Sequence, residues 1–132
     1  MIRQIEHTAI IVTDMDRSIA FYRSLGFEVR LRGTNPAREM TFLYLPQHPG
    51  VEIELIRELN PDTTFSEDGI VNHLAFRVDH IEETIAALKE QGVEFVSDEP
   101  KPTLDGGKMV LFYGPDRELL QLIQVPKERQ QV

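Results

Sequence analysis

The stretch Val71-Asn-His-Leu-Ala-Phe-Arg-Val78 decides the fold, because the same pattern stands 66 residues earlier as Ile5-Glu-His-Thr-Ala-Ile-Ile-Val12. His7 falls on His73, Ala9 on Ala75 and Val12 on Val78. The register continues without a gap through Ile19 on Ile85, Ala20 on Ala86, Gly26 on Gly92 and Glu28 on Glu94. A fixed offset this long, in only two copies, describes a duplicated module rather than a solenoid.

Outward from these stretches, each copy repeats the same devices. Ile5–Val12 alternates as a strand, with Ile5, His7, Ala9 and Ile11 on one face and Glu6, Thr8, Ile10 and Val12 on the other. Thr13 and Asp16 have capping-box spacing and predict a helix running to about Leu25, with Met15, Ile19 and Tyr22 as its apolar stripe and Gly26 as its stop. In the second copy Asp79 and Glu82 open the helix, Ile81, Ile85 and Leu88 form the stripe, and Gly92 ends it. The predicted strands that follow are about 27–32, 40–45 and 51–57 in the first copy, and 93–96, 109–113 and 119–125 in the second. Polar or Pro/Gly-rich stretches separate them, including a loop over 97–107.

Each half therefore reads β-α-β-β-β. One helix covers only one face of such a sheet, so two halves must combine. The expected class is α+β: a single domain over 1–132, made of two tandem βαβββ modules (about 1–59 and 70–126). A linker at 60–69 joins them, a polar tail covers 127–132, and the strands form a concave eight-stranded mixed sheet.

Composition narrows the function. A formal net charge of −8 argues against a nucleic-acid surface or a polybasic membrane patch. The absence of cysteine removes disulfides, thiolate metal sites and a cysteine nucleophile. No apolar run approaches the ~20 residues of a membrane span, and the N-terminus lacks a signal-peptide core. A cytoplasmic protein is expected.

Strand alternation puts His7 and His73 on the face turned away from the helix stripes. The last strands of the two halves align at an offset of 67, which sets Glu54 on Gln121, each a polar residue in an apolar strand on that same face. Taken singly, each is ordinary: a strand histidine, a glutamate beside Glu52 and Glu58, a glutamine. Together they occupy two pairs of symmetry-related positions, and two imidazoles, a carboxylate and an amide oxygen suit one borderline divalent ion: Zn, Ni, Co, Fe or Mn.

The segments D-x-x-x-S-I-x-F-Y-x-x-L-G-F (Asp14–Phe27), N-H-L-A-F (Asn72–Phe76) and G-P-D-R-E-L-L-Q-L (Gly114–Leu122) resemble the vicinal oxygen chelate superfamily, and within it glyoxalase I. The resemblance extends from Ile5 to about Val125. It implies the glyoxalase/bleomycin resistance/dioxygenase fold, metal ligands at His7, Glu54, His73 and Gln121, a small-molecule substrate and a homodimer. It implies a metal-dependent lyase or isomerase that converts a 2-oxoaldehyde–thiol adduct through a metal-bound enediolate, with Glu54 moving the proton. Gln121 stands where glyoxalase I has glutamate, and an amide can ligate but cannot act as a base. Positions four beyond the first two ligands, which would grip glutathione, are Ile11 and Glu58, so glutathione is not supported as the thiol. Arg77, Arg38, Phe42 and Tyr44 are the candidate substrate contacts, with Met109 and Tyr113 as further liners. An epimerase like methylmalonyl-CoA epimerase is the alternative activity, and a ligand-sequestering protein of the bleomycin-resistance kind is the non-catalytic one.

Overall fold

The computed structural model describes residues 1–24, 26–60, 71–114, 117 and 119–130. Its elements run β1 (Ile2–Ile11), α1 (Met15–Ser24), β2 (Glu28–Thr34), β3 (Arg38–Leu45), β4 (His48–Glu58), β5 (Val71–Val78), α2 (Ile81–Glu90), β6 (Lys101–Pro102), β7 (Lys108–Tyr113) and β8 (Leu119–Gln124). A 3-10 turn follows at Lys127–Arg129. The strands form one eight-stranded mixed sheet ordered β2-β3-β4-β1-β5-β8-β7-β6, which is the expected α+β architecture. The linker expected at 60–69 lies, from residue 61 on, outside the described residues, as do Leu25, Pro115, Asp116, Glu118 and the last two residues of the tail.

The chain divides into two compact units, residues 7–72 and residues 1–6 with 73–132. The start of β1 thus belongs with the second half rather than the first.

In the unit 7–72, β1 runs parallel to β4, while β3 lies antiparallel between β4 and β2. Helix α1 buries Met15 and Ile19 against Leu43 and Leu55, with Ile10, Val12, Tyr22, Phe27, Val29 and Ile53 packed around them. Each fully buried side chain of this size contributes about 1.5–3 kcal/mol, so the expected stripe is what fixes the helix to the sheet. The cap sits one residue later than the capping box predicts. Asp14 Oδ1 accepts the Arg17 N–H at 3.1 Å, and the Thr13 hydroxyl accepts from the Arg17 guanidinium instead. Gly26, at φ 105°, ends the helix, and the Phe27 N–H reaches back to the Tyr22 carbonyl.

In the other unit, β5 runs parallel to β8, and β7 lies antiparallel between β8 and β6. Helix α2 buries Ile81 and Ile85 on Val78, Val110, Phe112 and Leu122, with Leu88 at the margin. Gly92, at φ 86°, repeats the stop of Gly26, with the Val93 N–H bonded to the Leu88 carbonyl. The Asp79–Glu82 capping box does not form. The helix begins after His80, Asp79 pairs with Arg3, and Glu82 pairs with Lys108. The first-turn Ile81 N–H is satisfied from outside the helix by Gln124 Oε1 at 3.0 Å.

A second departure concerns the strand expected at 93–96. These residues do run beside β7, through Tyr113 N–H to Glu94 O and Val96 N–H to Leu111 O, but form only a single bridge, Phe95 to Phe112. Pairing resumes at Lys101 with Met109, after the partner register has slipped by three residues. Ser97–Pro100 makes the slip: the Ser97 hydroxyl donates to the Glu99 carbonyl, and Pro100 has no N–H to add to a ladder. The expected loop at 97–107 therefore contains β6.

Candidate metal centre

The two parallel pairs share one register. Ala9 lies opposite Glu54 between β1 and β4, and Ala75 lies opposite Gln121 between β5 and β8. The offset of 67 read for the last strands, against 66 for the first, is matched by this backbone pairing. Both alanines are fully buried, and a residue without further side-chain bulk leaves room beside each polar partner.

Within the unit 7–72, His7 and Glu54 are buried side by side. His7 Nε2 stands 3.2 Å from Glu54 Oε1. Two donors each bound about 2.0–2.2 Å from one zinc-like ion, at angles between square and tetrahedral, stand about 2.9–3.4 Å apart. The observed spacing fits two ligands of one ion. The Phe42 and His7 rings meet edge to face, with centroids 5.9 Å apart, and the Arg30 guanidinium lies over the Phe42 ring, 5.0 Å from its centroid. Arg30 also holds Glu52 through both carboxylate oxygens, one contact being Nη2 to Oε1 at 2.9 Å. Glu52 is only 2% exposed and Glu54 5%, so neither is one of a row of solvated glutamates. Arg30 sits where the β2–β3 register slips between Val29 and Leu31, a bulge that re-aims a side chain.

Within the other unit, His73 and Gln121 are likewise buried. Among the described residues, the Gln121 side-chain oxygen has no hydrogen-bond partner. An amide oxygen held dry and unmatched costs about 1–3 kcal/mol, which is the signature of an acceptor kept for a ligand. His7, Glu54 and His73 are each buried and each offers an atom able to bind a metal ion. The donor set fits a borderline divalent ion.

Of the candidate substrate contacts, Phe42 touches a candidate ligand. The Tyr44 hydroxyl donates to Glu28 at 3.1 Å, and that bond and the Glu28 charge raise the phenol's pKa. Arg38 pairs with Glu58. Arg77 shares the strand face of His73 but is 2% exposed and bound to Glu6, with Nε at 3.0 Å and Nη2 at 2.9 Å from Oε2. Its charge is thus engaged within the chain. Sequence reading passed over Arg30, Glu52 and Glu6. Each stands among other polar residues of its strand and so looks solvated in the sequence.

The chain matches, over residues 6–112, the model of the glyoxalase/bleomycin resistance protein/dioxygenase superfamily. It is 32% identical over 126 residues to a lactoylglutathione lyase of Haemophilus influenzae, covering 92% of each chain. It is 34% identical over 123 residues to an ethylmalonyl-CoA/methylmalonyl-CoA epimerase of Cereibacter sphaeroides, covering 87% of this chain and 90% of that one. The crystal structure of methylmalonyl-CoA epimerase from Mycobacterium tuberculosis superposes with a TM-score of 0.85 at 20% identity, over 99% of this chain and 93% of the other, a likeness of fold. No helix among the described residues is long and apolar enough to cross a membrane. Together with the repeated Ala–Glu and Ala–Gln registers, these matches show that the chain belongs to the glyoxalase/bleomycin resistance protein/dioxygenase superfamily, whose members are mostly enzymes.

Proposed function

We propose that the protein is a metal-dependent lyase or isomerase of the glyoxalase I type, acting on the adduct of a 2-oxoaldehyde with a thiol, with glutathione not supported as that thiol. His7, Glu54, His73 and Gln121 hold one divalent ion, and Glu54 carries the proton. The observation that carries this reading is the buried carboxylate of Glu54, flanked in its strand by Ile53 and Leu55 and 3.2 Å from His7 Nε2. When bound, the ion supplies the positive charge that stabilises negative charge developing on two adjacent substrate oxygens.

The chain's residues do the rest. Glu54 takes a proton from one substrate carbon and returns it to the neighbouring carbon, which a carboxylate can do and Gln121 cannot. The two histidines are neutral donors that fix the ion without spending the carboxylate's basicity. Phe42, with Arg30 over its ring, packs against the His7 imidazole and helps to hold it in place. A homodimer in the cytoplasm goes with this reading, by analogy with the family. The epimerase relative favours a second reading, in which the same proton abstraction from a carbon next to a carbonyl ends with return to the same carbon.

The test is Glu54→Gln, assayed for turnover of 2-oxoaldehyde–thiol adducts and of an acyl-CoA epimer, with metal content measured by elemental analysis. Turnover falls by about 10²–10⁴-fold while the ion and the fold persist. Turnover retained in the variant rules the mechanism out, and turnover of the epimer alone transfers the assignment to the second reading.

A further inference from the structure

We propose that Arg129, in the turn after the last strand, is a positioning residue for the metal centre, acting through Glu6 on the strand that carries His7. The inference rests on the metal reading above.

Glu6 immediately precedes His7 and is 1% exposed. Its two oxygens are held by different arginines. Oε2 accepts from Arg77 of β5, and Oε1 accepts from Arg129 Nη2 at 3.1 Å. A dry carboxylate needs both, because an oxygen stripped of its donor in the interior has no water to turn to. Arg129 is itself braced. Its Nη1 donates to Asp105 Oδ2 at 3.2 Å, Asp105 Oδ1 accepts the Thr103 hydroxyl at 2.7 Å, and the Thr103 oxygen accepts the Gly107 N–H at 2.8 Å. Gly107 must lack a side chain there, since a Cβ would lie 2.4 Å from the Gln124 carbonyl. The brace therefore has a rigid base.

Alternation sends Glu6 and His7 to opposite faces of β1, yet one planar peptide joins them, so a shift of the Glu6 backbone carries the imidazole with it. Arg77 extends the same hold to β5, four residues beyond His73. The polar tail expected after Pro126 thus begins, over Lys127–Arg129, as a 3-10 turn whose arginine binds Glu6, beside a proposed ligand.

The experiment compares wild type, Arg129→Met, Arg129→Lys and Arg117→Met, the last removing an exposed ion pair to Glu94. Zinc is the probe; its dissociation constant is read by competition with a chromophoric chelator, alongside the thermal midpoint of the metal-free protein. Arg129→Met weakens zinc by about 10-fold or more, the scale for outer partners of metal ligands. Arg129→Lys recovers part of the loss, and Arg117→Met changes nothing. A folded Arg129→Met protein that binds zinc like wild type overturns the inference, whatever its midpoint. If that variant fails to fold, Asp105→Asn, which loosens Arg129 while leaving it on Glu6, carries the test: weaker zinc binding supports the inference and unchanged binding overturns it. A wild-type protein that takes up no zinc overturns the metal reading itself, and the two failures are distinguishable.

Discussion

Replacing Gln121 by leucine tests whether the buried amide is kept for a ligand. In the metal-free protein its oxygen is buried without a partner among the described residues. Leucine of similar volume removes a cost of about 1–3 kcal/mol for that oxygen and forfeits about 1 kcal/mol for the amide nitrogen. The metal-free variant is therefore more stable by up to about 2 kcal/mol. For 132 residues, unfolding entropy of about 2.1 cal/mol/K per residue converts 1 kcal/mol into about 3.6 °C, so the midpoint rises by up to about 7 °C. The ion reverses the order. At 100 times its dissociation constant it adds about 2.7 kcal/mol to wild type, or about 10 °C; a variant binding tenfold more weakly gains about 1.4 kcal/mol, or about 5 °C. The assay is a thermal melt with chelator and with a titrated divalent ion. A variant that melts lower than wild type in chelator, and keeps the full metal-induced rise, would refute the argument on both counts.

Two further outcomes follow from buried charge. Arg77→Met leaves Glu6 without its Oε2 donor, and loss of one partner of a buried pair costs about 3–5 kcal/mol, whereas Glu6→Leu combined with Arg77→Met recovers most of it; urea denaturation of the three variants decides, and a loss below about 1 kcal/mol would sink the claim of a dry pair. Burial works against ionising Glu39, but hydrogen bonds and charge from Arg57 and Arg32 outweigh it and hold its pKa below the ordinary 4.5. A depressed carboxylate stabilises the fold above its unfolded pKa and loses that contribution as pH falls through the folded value. The stability gap between wild type and Glu39→Gln should therefore be full near neutrality and shrink below about pH 4.5; a gap independent of pH would contradict it.

Much of this structure was legible in the residues. The duplication, both helix stripes, both glycine stops and the Ala–Glu and Ala–Gln registers all rest on local period and spacing. The start of α1 was misplaced by one residue because Asp14 caps it in place of Thr13, and that of α2 because Asp79 pairs with Arg3 and the Ile81 N–H is met by Gln124, a side chain 43 positions away. No local signal carries that. The strand predicted at 93–96 shrank to one bridge because the partner's register slips there, and register is a property of two strands. At the candidate site, the symmetric positions singled out His7, Glu54, His73 and Gln121 as the proposed ligands. The Arg30–Glu52 and Glu6–Arg77–Arg129 contacts stayed hidden because they join charges that look solvated until the sheet buries them.

The slip beside β7 has a consequence for how the protein behaves among its own copies. The outermost strands of the sheet are β2 and β6. An outer strand offers unpaired backbone groups to any passing extended chain and so invites fibrous aggregation. Here β6 is two residues long, one of them a proline with no N–H to offer, and the other an exposed lysine. At the opposite end β2 carries a bulge and two arginines, Arg30 and Arg32. Neither border gives a foreign strand a straight, neutral run to pair with, and the polymerisation to which a broad sheet is prone is stopped at both ends.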